Sequence, residues 1–345
     1  MTKNGGKEGA VVGKNSRKQL LQWIFALVLG FLIANALCFF YERPVGWLDT
    51  PNGAATSVWR PGAFMVHGTE GYSVSRVDDN GYINPPGTLA DRYVLIMGAS
   101  HTQGLEVRHQ YRYAELVNRY FADGTGTLAA YNIGCQGDFL PTQIKHFQAA
   151  MEAFPNADAV TIEITSTNHS ALEIHEAMAQ GHYNPGDSAE GFRAGGLAFK
   201  LKTVVKESLP LLALLKTNFQ TLRAQAAEET EGPYDYETEL DAAMALIRSE
   251  FDGPIAFVYH PTTEIQPDGS LKLGYSDTWD IFCRVCEKNG IDVIDTGTRF
   301  ARLYETERKL PYGFANTTPG SGHLNAAGHR ILAEEIISYL EELRS

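Results

Sequence analysis

Cysteine is scarce in this sequence, four in 345 residues, too few for the disulfide framework that holds small secreted domains together. Stability therefore has to come from a buried core. Positive charge is also short: 29 Lys and Arg stand against 41 Asp and Glu, a formal net charge of -12. That balance excludes the basic surface a phosphate backbone requires, so no nucleic-acid partner is expected and the substrate is small or neutral. Charge of either sign is missing between Leu20 and Phe40, where only Gln22 and Asn35 are polar. About 20 apolar residues are what a bilayer core takes to cross, and this absence predicts a transmembrane helix. No two of His101, His169 and His323 have the close helical spacing of zinc enzymes. Neither a metal nor a cofactor is expected.

What is present places the chain in the globular class, with 44% hydrophobic and 20% charged residues. The charge is uneven. Lys3, Lys7, Lys14, Arg17 and Lys18 against Glu8 give the first 18 residues a local +4 and leave -16 for the rest. A basic flank before a span predicts a cytoplasmic N-terminus, and Trp23 and Tyr41 suit the headgroup boundaries. The chain thus divides into a cytoplasmic basic tail (1–18), a transmembrane anchor (19–41), a linker and β lead-in (42–90) and a catalytic domain (91–345). It is expected as a single-pass protein of the cell membrane with the C-terminal domain outside. A cleaved secretory signal is the competing reading, but its apolar region runs to roughly 7–15 residues and is followed by small residues. Asn35-Ala36-Leu37 before Cys38 lacks the small residue expected beside a lipidated cysteine.

Within 42–90, Gly71 to Val77 followed by Asp78-Asp79-Asn80-Gly81 reads as a strand entering a hairpin turn. Five short apolar runs follow, separated by helical stretches: Tyr93–Met97, Leu128–Ile133, Ala159–Ile164, Ile255–Tyr259 and Ile291–Ile294. That alternation predicts a parallel sheet covered on both faces, whose ligands bind beyond the carboxyl ends of the strands. The gap between the third and fourth runs exceeds what a crossover helix needs, which marks a helical insertion at about 186–235. There Phe199, Leu201, Val204, Val205 and Leu209 interleave with Lys200, Lys202 and Lys206, a basic amphipathic segment that either caps the domain or lies on a membrane surface. The acidic residues Glu228, Glu229, Glu231, Asp235 and Glu237 read as a solvated loop. Cys283 and Cys286 sit in a helically periodic stretch and read as core residues, since a metal site needs further ligands nearby.

Four blocks carry chemistry, three at strand ends and one before the last helix. Met97-Gly98-Ala99-Ser100 puts a serine after a tight turn, its backbone N–H near a helix start that favours developing negative charge, a place for a nucleophile. After the second run, Gly137 can aim its N–H at a reacting carbonyl oxygen or simply close a turn. After the third, the Asn168 amide is a further oxyanion donor or a turn former. It also begins an Asn-His-Ser sequon, as Asn316 begins Asn-Thr-Thr, and a glycan on Asn168 excludes the catalytic use. His323, in Gly320-Ser321-Gly322-His323-Leu324-Asn325 before the last helix, can take a proton from a serine at a neighbouring strand end. His329, inside that helix, reads as structural.

In order as well as content these blocks resemble the SGNH hydrolase superfamily, also called GDSL-like, over about residues 91–345 apart from the insertion. Its serine block is similar to Gly98-Ala99-Ser100, its glycine block to Gly134 through Gly137, its Gly-x-Asn-Asp block to Ser166-Thr167-Asn168-His169 and its histidine block to Gly322 through Asn325. The resemblance implies a flavodoxin-like three-layer α/β/α fold with a parallel five-stranded sheet, here preceded by one N-terminal transmembrane helix. It implies hydrolysis or transfer of an ester-linked acyl group, with oxyanion donors from Ser100 N–H, Gly137 N–H and the Asn168 side chain. Three departures stand out: Ala99 where many members carry Asp, Ser166 and His169 at the ends of the third block, and Gly320 where the acidic triad member usually stands. A Ser-His dyad oriented by a backbone carbonyl is one solution. Asp138 or Glu163, reaching in from another loop or strand, is another.

The expected protein is a membrane-anchored extracytoplasmic serine esterase acting on a small ester or an acylated glycan, such as O-acetyl groups of a cell surface. An O-acyltransferase using the same site is one alternative. A catalytically inactive surface binding or assembly protein is the other, and the missing acid at Gly320 is its support.

Overall fold

A stretch with neither charge nor proline has no reason to leave the helix, and in the computed structural model residues Glu8–Tyr41 form one helix, α1. The structure describes residues 8–45, 58–85, 89–122, 128–179, 195–223 and 233–345, with side chains from 17 onward and not for 128 or 217–223. From Arg17 to Tyr41, α1 is long and apolar enough to cross a membrane, with a mean hydropathy of 2.4 in its most apolar window and none of that window buried.

Leaving α1, the chain bonds along the first arm of a hairpin, with Arg43 N–H donating to Val66 O at 2.7 Å. The hairpin pairs β1 (Phe64–His67) with β2 (Ser73–Arg76) antiparallel, His67 opposite Ser73. Val45, Trp59, Ala63, Met65, Val77 and Ile83 pack into a small core of their own beneath it. This corrects the expected lead-in. The strand before Asp78 is the second arm of the hairpin, whose turn is 68–72, and β1 is too short for alternation to have marked it. Asp78 instead closes a local turn, its Oδ1 accepting from the Asn80 and Tyr82 N–H groups.

The five apolar runs become β3 (Leu89–Met97), β4 (Leu128–Asn132), β5 (Ala157–Ile164), β6 (Ile255–Tyr259) and, after an exposed antiparallel ribbon of β7 (Thr262–Ile265) and β8 (Leu271–Gly274), β9 (Asp292–Asp295). They form a parallel sheet in the order β4-β3-β5-β6-β9. The fold is flavodoxin-like, and the strand order reverses beside β3, so the loops after β3 and β5 flank the crevice where such sheets take ligands.

Flanking this sheet or joining its strands are α2 (Ser100–Gln103), α3 (Tyr113–Phe121), α4 (Leu140–Ala153), α5 (Ala171–Ala179), α6 (Leu197–Glu207), α7 (Pro210–Arg223), α8 (Tyr236–Glu250), α9 (Trp279–Lys288), α10 (Gly297–Glu307) and α11 (Ala326–Glu342). Along β3, Tyr93, Leu95 and Met97 enter one apolar layer with Phe147 of α4, Leu240 of α8 and Phe282 of α9, while Val94 and Ile96 enter the other with Val117 of α3, Phe300 of α10 and Ile336 of α11. Fully burying such a side chain is worth about 1.5–3 kcal/mol, so two apolar layers do what crosslinks do in smaller domains. Cys286 is buried on α9 and Cys283 half-buried, and burial pushes the Cys286 thiol upward, away from thiolate chemistry.

Of the insertion, α6 and α7 are described, and they pack beside α1 and the lead-in. The Asn35 amide of α1 donates to Ser208 O at 3.0 Å and accepts from Leu211 N–H at 3.4 Å. Arg60 grips the Glu207 carboxylate through Nε and Nη2, the closest contact 2.6 Å. Asp235, expected in a solvated loop, caps α8 by accepting from Thr238 N–H at 3.0 Å. Glu228, Glu229 and Glu231 lie outside the described residues.

Candidate active site

β3 runs straight into the serine turn. Gly98 holds φ +153°, and a Cβ there would lie 2.7 Å from Glu163 Oε2, so the turn takes only glycine. Ala99 N–H donates to Glu163 Oε2 at 3.0 Å, Thr102 Oγ1 donates to the same oxygen at 2.9 Å, and Ser100 begins α2. Glu163 itself is fully buried on β5, and its Oε1 meets His260 Nε2 at 2.8 Å, with His260 Nδ1 on the Tyr312 hydroxyl at 2.7 Å. Burial alone would raise the Glu163 carboxyl, but the His260 hydrogen bond and charge, with help from Thr102, hold it down to about 2. This carboxylate is the post on which the serine turn is hung.

Ser100 Oγ and His323 Nε2 stand 3.0 Å apart, although 223 positions separate them. The other ring nitrogen, Nδ1, meets Glu70 Oε2 at 2.6 Å, and the His323 backbone N–H donates to Glu70 Oε1 at 2.7 Å. An acid therefore does sit behind the histidine, and it comes from the β1–β2 turn rather than from position 320. Gly322 shows the fit: at φ +84°, an added Cβ would run into the Glu70 carboxylate, 3.1 Å from its carbon. The Glu70 loop is itself clamped. Asn316 donates to Gly68 O and Gly71 O and accepts from Gly71 N–H, and Glu42, next after α1, accepts from Gly68 and Thr69 N–H at 2.8 and 3.1 Å. The Asn316 sequon is thus committed to the site.

Neither carboxylate considered from the sequence as a replacement acid faces His323. Asp138 Oδ2 pairs with His146 Nδ1 at 3.2 Å, and Glu163 serves the serine turn as described. Both leave the sheet from the right strands, but their oxygens are already engaged elsewhere. The sequence reading missed Glu70, whose only local sign is an acid between glycines in Gly68-Thr69-Glu70-Gly71. Gly137 lies in the loop after β4 and Asn168 in the loop after β5, the two neighbours of β3. Cys135 N–H donates to Gly98 O at 2.9 Å, lacing the first loop to the serine turn. Asn168 is exposed, and its Oδ1 accepts from Thr278 N–H at 3.2 Å, which orients the amide.

A second carboxylate, Glu106, is buried with its Oε1 3.7 Å from His323 Nε2 and 3.9 Å from His67 Nε2. Burial raises it above the ordinary carboxylate range, against the pull of His323 and His67. Negative charge there would favour the imidazolium that forms when Nε2 gains a proton.

Neutral histidines surround this centre. His101 accepts from Leu324 N–H at 3.1 Å, and burial, then His260, holds it well below its ordinary value. His329, on α11, accepts from Tyr113 N–H at 3.2 Å, and burial, then Arg112, lowers it to about 3. At both positions the unfolded chain takes up a proton that the fold refuses. Stability should therefore be full above the ordinary histidine range near 6.5 and fall as pH drops, by about 1.4 kcal/mol per unit for each residue, continuing toward pH 3 for His329. Burial would lower His67 too, but the Glu42 hydrogen bond and charge raise it, so it acts in the opposite sense to His101, His329 and His169, which burial also lowers. Urea midpoints of the detergent-solubilised chain should drop between about pH 7 and pH 5. His329→Gln should flatten that slope, and equal slopes would refute the assignment.

No protein-family model and no curated protein matches the chain. Among solved structures it is similar to a two-domain esterase active on acetylated mannans, at 13% identity and TM-score 0.40, covering 74% of this chain and about half (51%) of that one. It is also similar to an acetyl xylan esterase, at 14% identity and TM-score 0.36, covering 72% of this chain and 99% of the other. A third is an extracellular lipase from Streptomyces rimosus, at 17% identity and TM-score 0.36, covering 73% and 99%.

Proposed function

We propose that the chain is a membrane-anchored, SGNH-type serine esterase, with residues 1–18 in the cytoplasm, the 19–41 part of α1 across the bilayer and the α/β domain outside. The observation that carries the catalytic part is the continuous line Ser100 Oγ, His323 Nε2, His323 Nδ1, Glu70 Oε2, with contacts of 3.0 and 2.6 Å. In this reading Ser100 Oγ–H donates to Nε2, and Oγ attacks the acyl carbon as its proton passes to the ring. Glu70 accepts from Nδ1–H, which keeps Nε2 free to receive that proton and stabilises the imidazolium. Ser100 N–H, Gly137 N–H and the Asn168 amide are the donors assigned to the oxyanion. His323 then protonates the leaving alcohol, and a water activated at the same nitrogen releases the acid from the acyl-Ser100 ester.

The substrate assigned is a small ester or an O-acetyl group of a cell-surface glycan, on the grounds of an exported site and of the resemblance in the four blocks. Transfer to a sugar hydroxyl would use the same residues. Products formed with and without a glycan acceptor distinguish the two, since a transferase favours the acceptor over water. The support for an inactive surface protein was the missing acid, and Glu70 beside His323 favours the active reading. A fluorophosphonate probe should label the wild-type chain and not Ser100→Ala. No label on correctly folded wild type would overturn the esterase reading.

A further inference from the structure

We infer that the α6–α7 hairpin is a membrane-interface element, seated beside α1 in the boundary of the outer leaflet; the inference rests on reading α1 as the anchor. On α6, Leu197, Leu201, Val204 and Val205 recur at helical spacing on one face and all are exposed, Leu197 at 84% and Leu201 at 61%. Leu212 and Leu215 of α7 are exposed as well. A folded domain in water has no use for six such side chains on one small hairpin. Their neighbour in the fold is α1, itself apolar and mostly exposed from Leu20 to Tyr41, so the two exposed apolar surfaces belong to adjoining elements.

Depth follows from the contacts. Asn35 precedes Tyr41 by six residues, which at about 1.5 Å per residue puts it about 9 Å below the end of α1. A turn at that level must have its backbone groups satisfied without water. Asn35 does this by bonding both Ser208 O and Leu211 N–H, and its own polar amide, costly in an apolar span, is satisfied in return. On the water side, Glu207 is buried against Arg60 at 2.6 Å and lies 3.9 Å from Arg43, which stacks over the Phe39 and Phe64 rings. The hairpin is thereby pinned to α1 at Asn35 and to the lead-in at Arg60. About 5–10 Å is also the depth to which interfacial helices sink their apolar faces. Lys200, Lys202 and Lys206 on α6 are cations that can reach the headgroups while their stems stay apolar, and they stand out in a chain of net charge -12. The consequence for the site is placement: the Glu70 loop is clamped by Glu42 directly after α1, so the triad is carried close to the bilayer surface.

The test uses the full chain in nanodiscs of phosphatidylethanolamine and phosphatidylglycerol that carry a diazirine-bearing phospholipid, with crosslinks mapped by mass spectrometry. Lipid adducts should appear in α1 and in 197–216, and the 197–216 adducts should be lost in Leu201→Glu/Val205→Glu while fluorophosphonate labelling of Ser100 persists. Adducts in α1 alone would overturn the hairpin assignment and leave the anchor standing. Adducts in neither would overturn both. Protection of the hairpin by a second copy or another protein, with no lipid adducts, would also overturn it.

Discussion

Glu70→Gln should lower kcat for an acyl ester by roughly 10⁴ while the chain stays folded. The two Glu70 oxygens do different jobs. Oε1 accepts the His323 backbone N–H at 2.7 Å, and an amide oxygen can still do that. Oε2 faces Nδ1 at 2.6 Å, and an amide nitrogen placed there donates where the carboxylate accepted. The imidazole then carries its proton on Nε2, the nitrogen that has to receive one from Ser100, and the imidazolium loses its counter-charge. The loss should fall on kcat more than on KM, because the charge develops only in the transition state. Glu70→Asp should recover part of the rate. Steady-state kinetics on a chromogenic ester, with a thermal midpoint for each variant, checks this; turnover within a few-fold of wild type would mean that Glu70 is not the acid.

Glu163→Ala should do the reverse, costing about 3–5 kcal/mol of stability, because one partner of a buried pair is removed while the other stays buried. Its carboxylate accepts from Ala99 N–H, Thr102 Oγ1 and His260 Nε2, all buried, so the truncation leaves the Ala99 N–H and His260 Nε2 without this partner, takes one of its bonds from Thr102 and opens a void beside Gly98. Residual activity per folded molecule should also drop as the Ser100 turn relaxes. A denaturant midpoint equal to wild type would show that the turn is held by something else. The two substitutions separate an acid that acts on the reacting histidine from one that builds its surroundings, a distinction no spacing in the chain expresses.

The features visible along the chain are those with a local cause. Tyr93–Met97 and Ile255–Tyr259 are buried on both faces, so they are apolar without interruption, and they are strands where the composition says so. The turn at Gly98-Ala99-Ser100 and the loop at Gly322-His323 carry glycines because the backbone there needs them. Phe64–His67 was invisible for the opposite reason: four residues make no period, and the strand exists because β2 and the residues after α1 pair with it. The α6–α7 hairpin was legible as basic and amphipathic, but its neighbour was not. Whether it capped the sheet or lay beside α1 depended on Asn35, 173 positions from Ser208.

By itself, the order of residues determined the parallel sheet, the apolar span, the serine at a strand end and the histidine before the last helix, since each follows from hydrophobic period or backbone conformation within a few positions. Only the tertiary structure decided which acid stands behind His323. A carboxylate finds its partner by distance and orientation in space, and Glu70, 253 positions away, was brought there by the packing of a short hairpin that no local pattern announces.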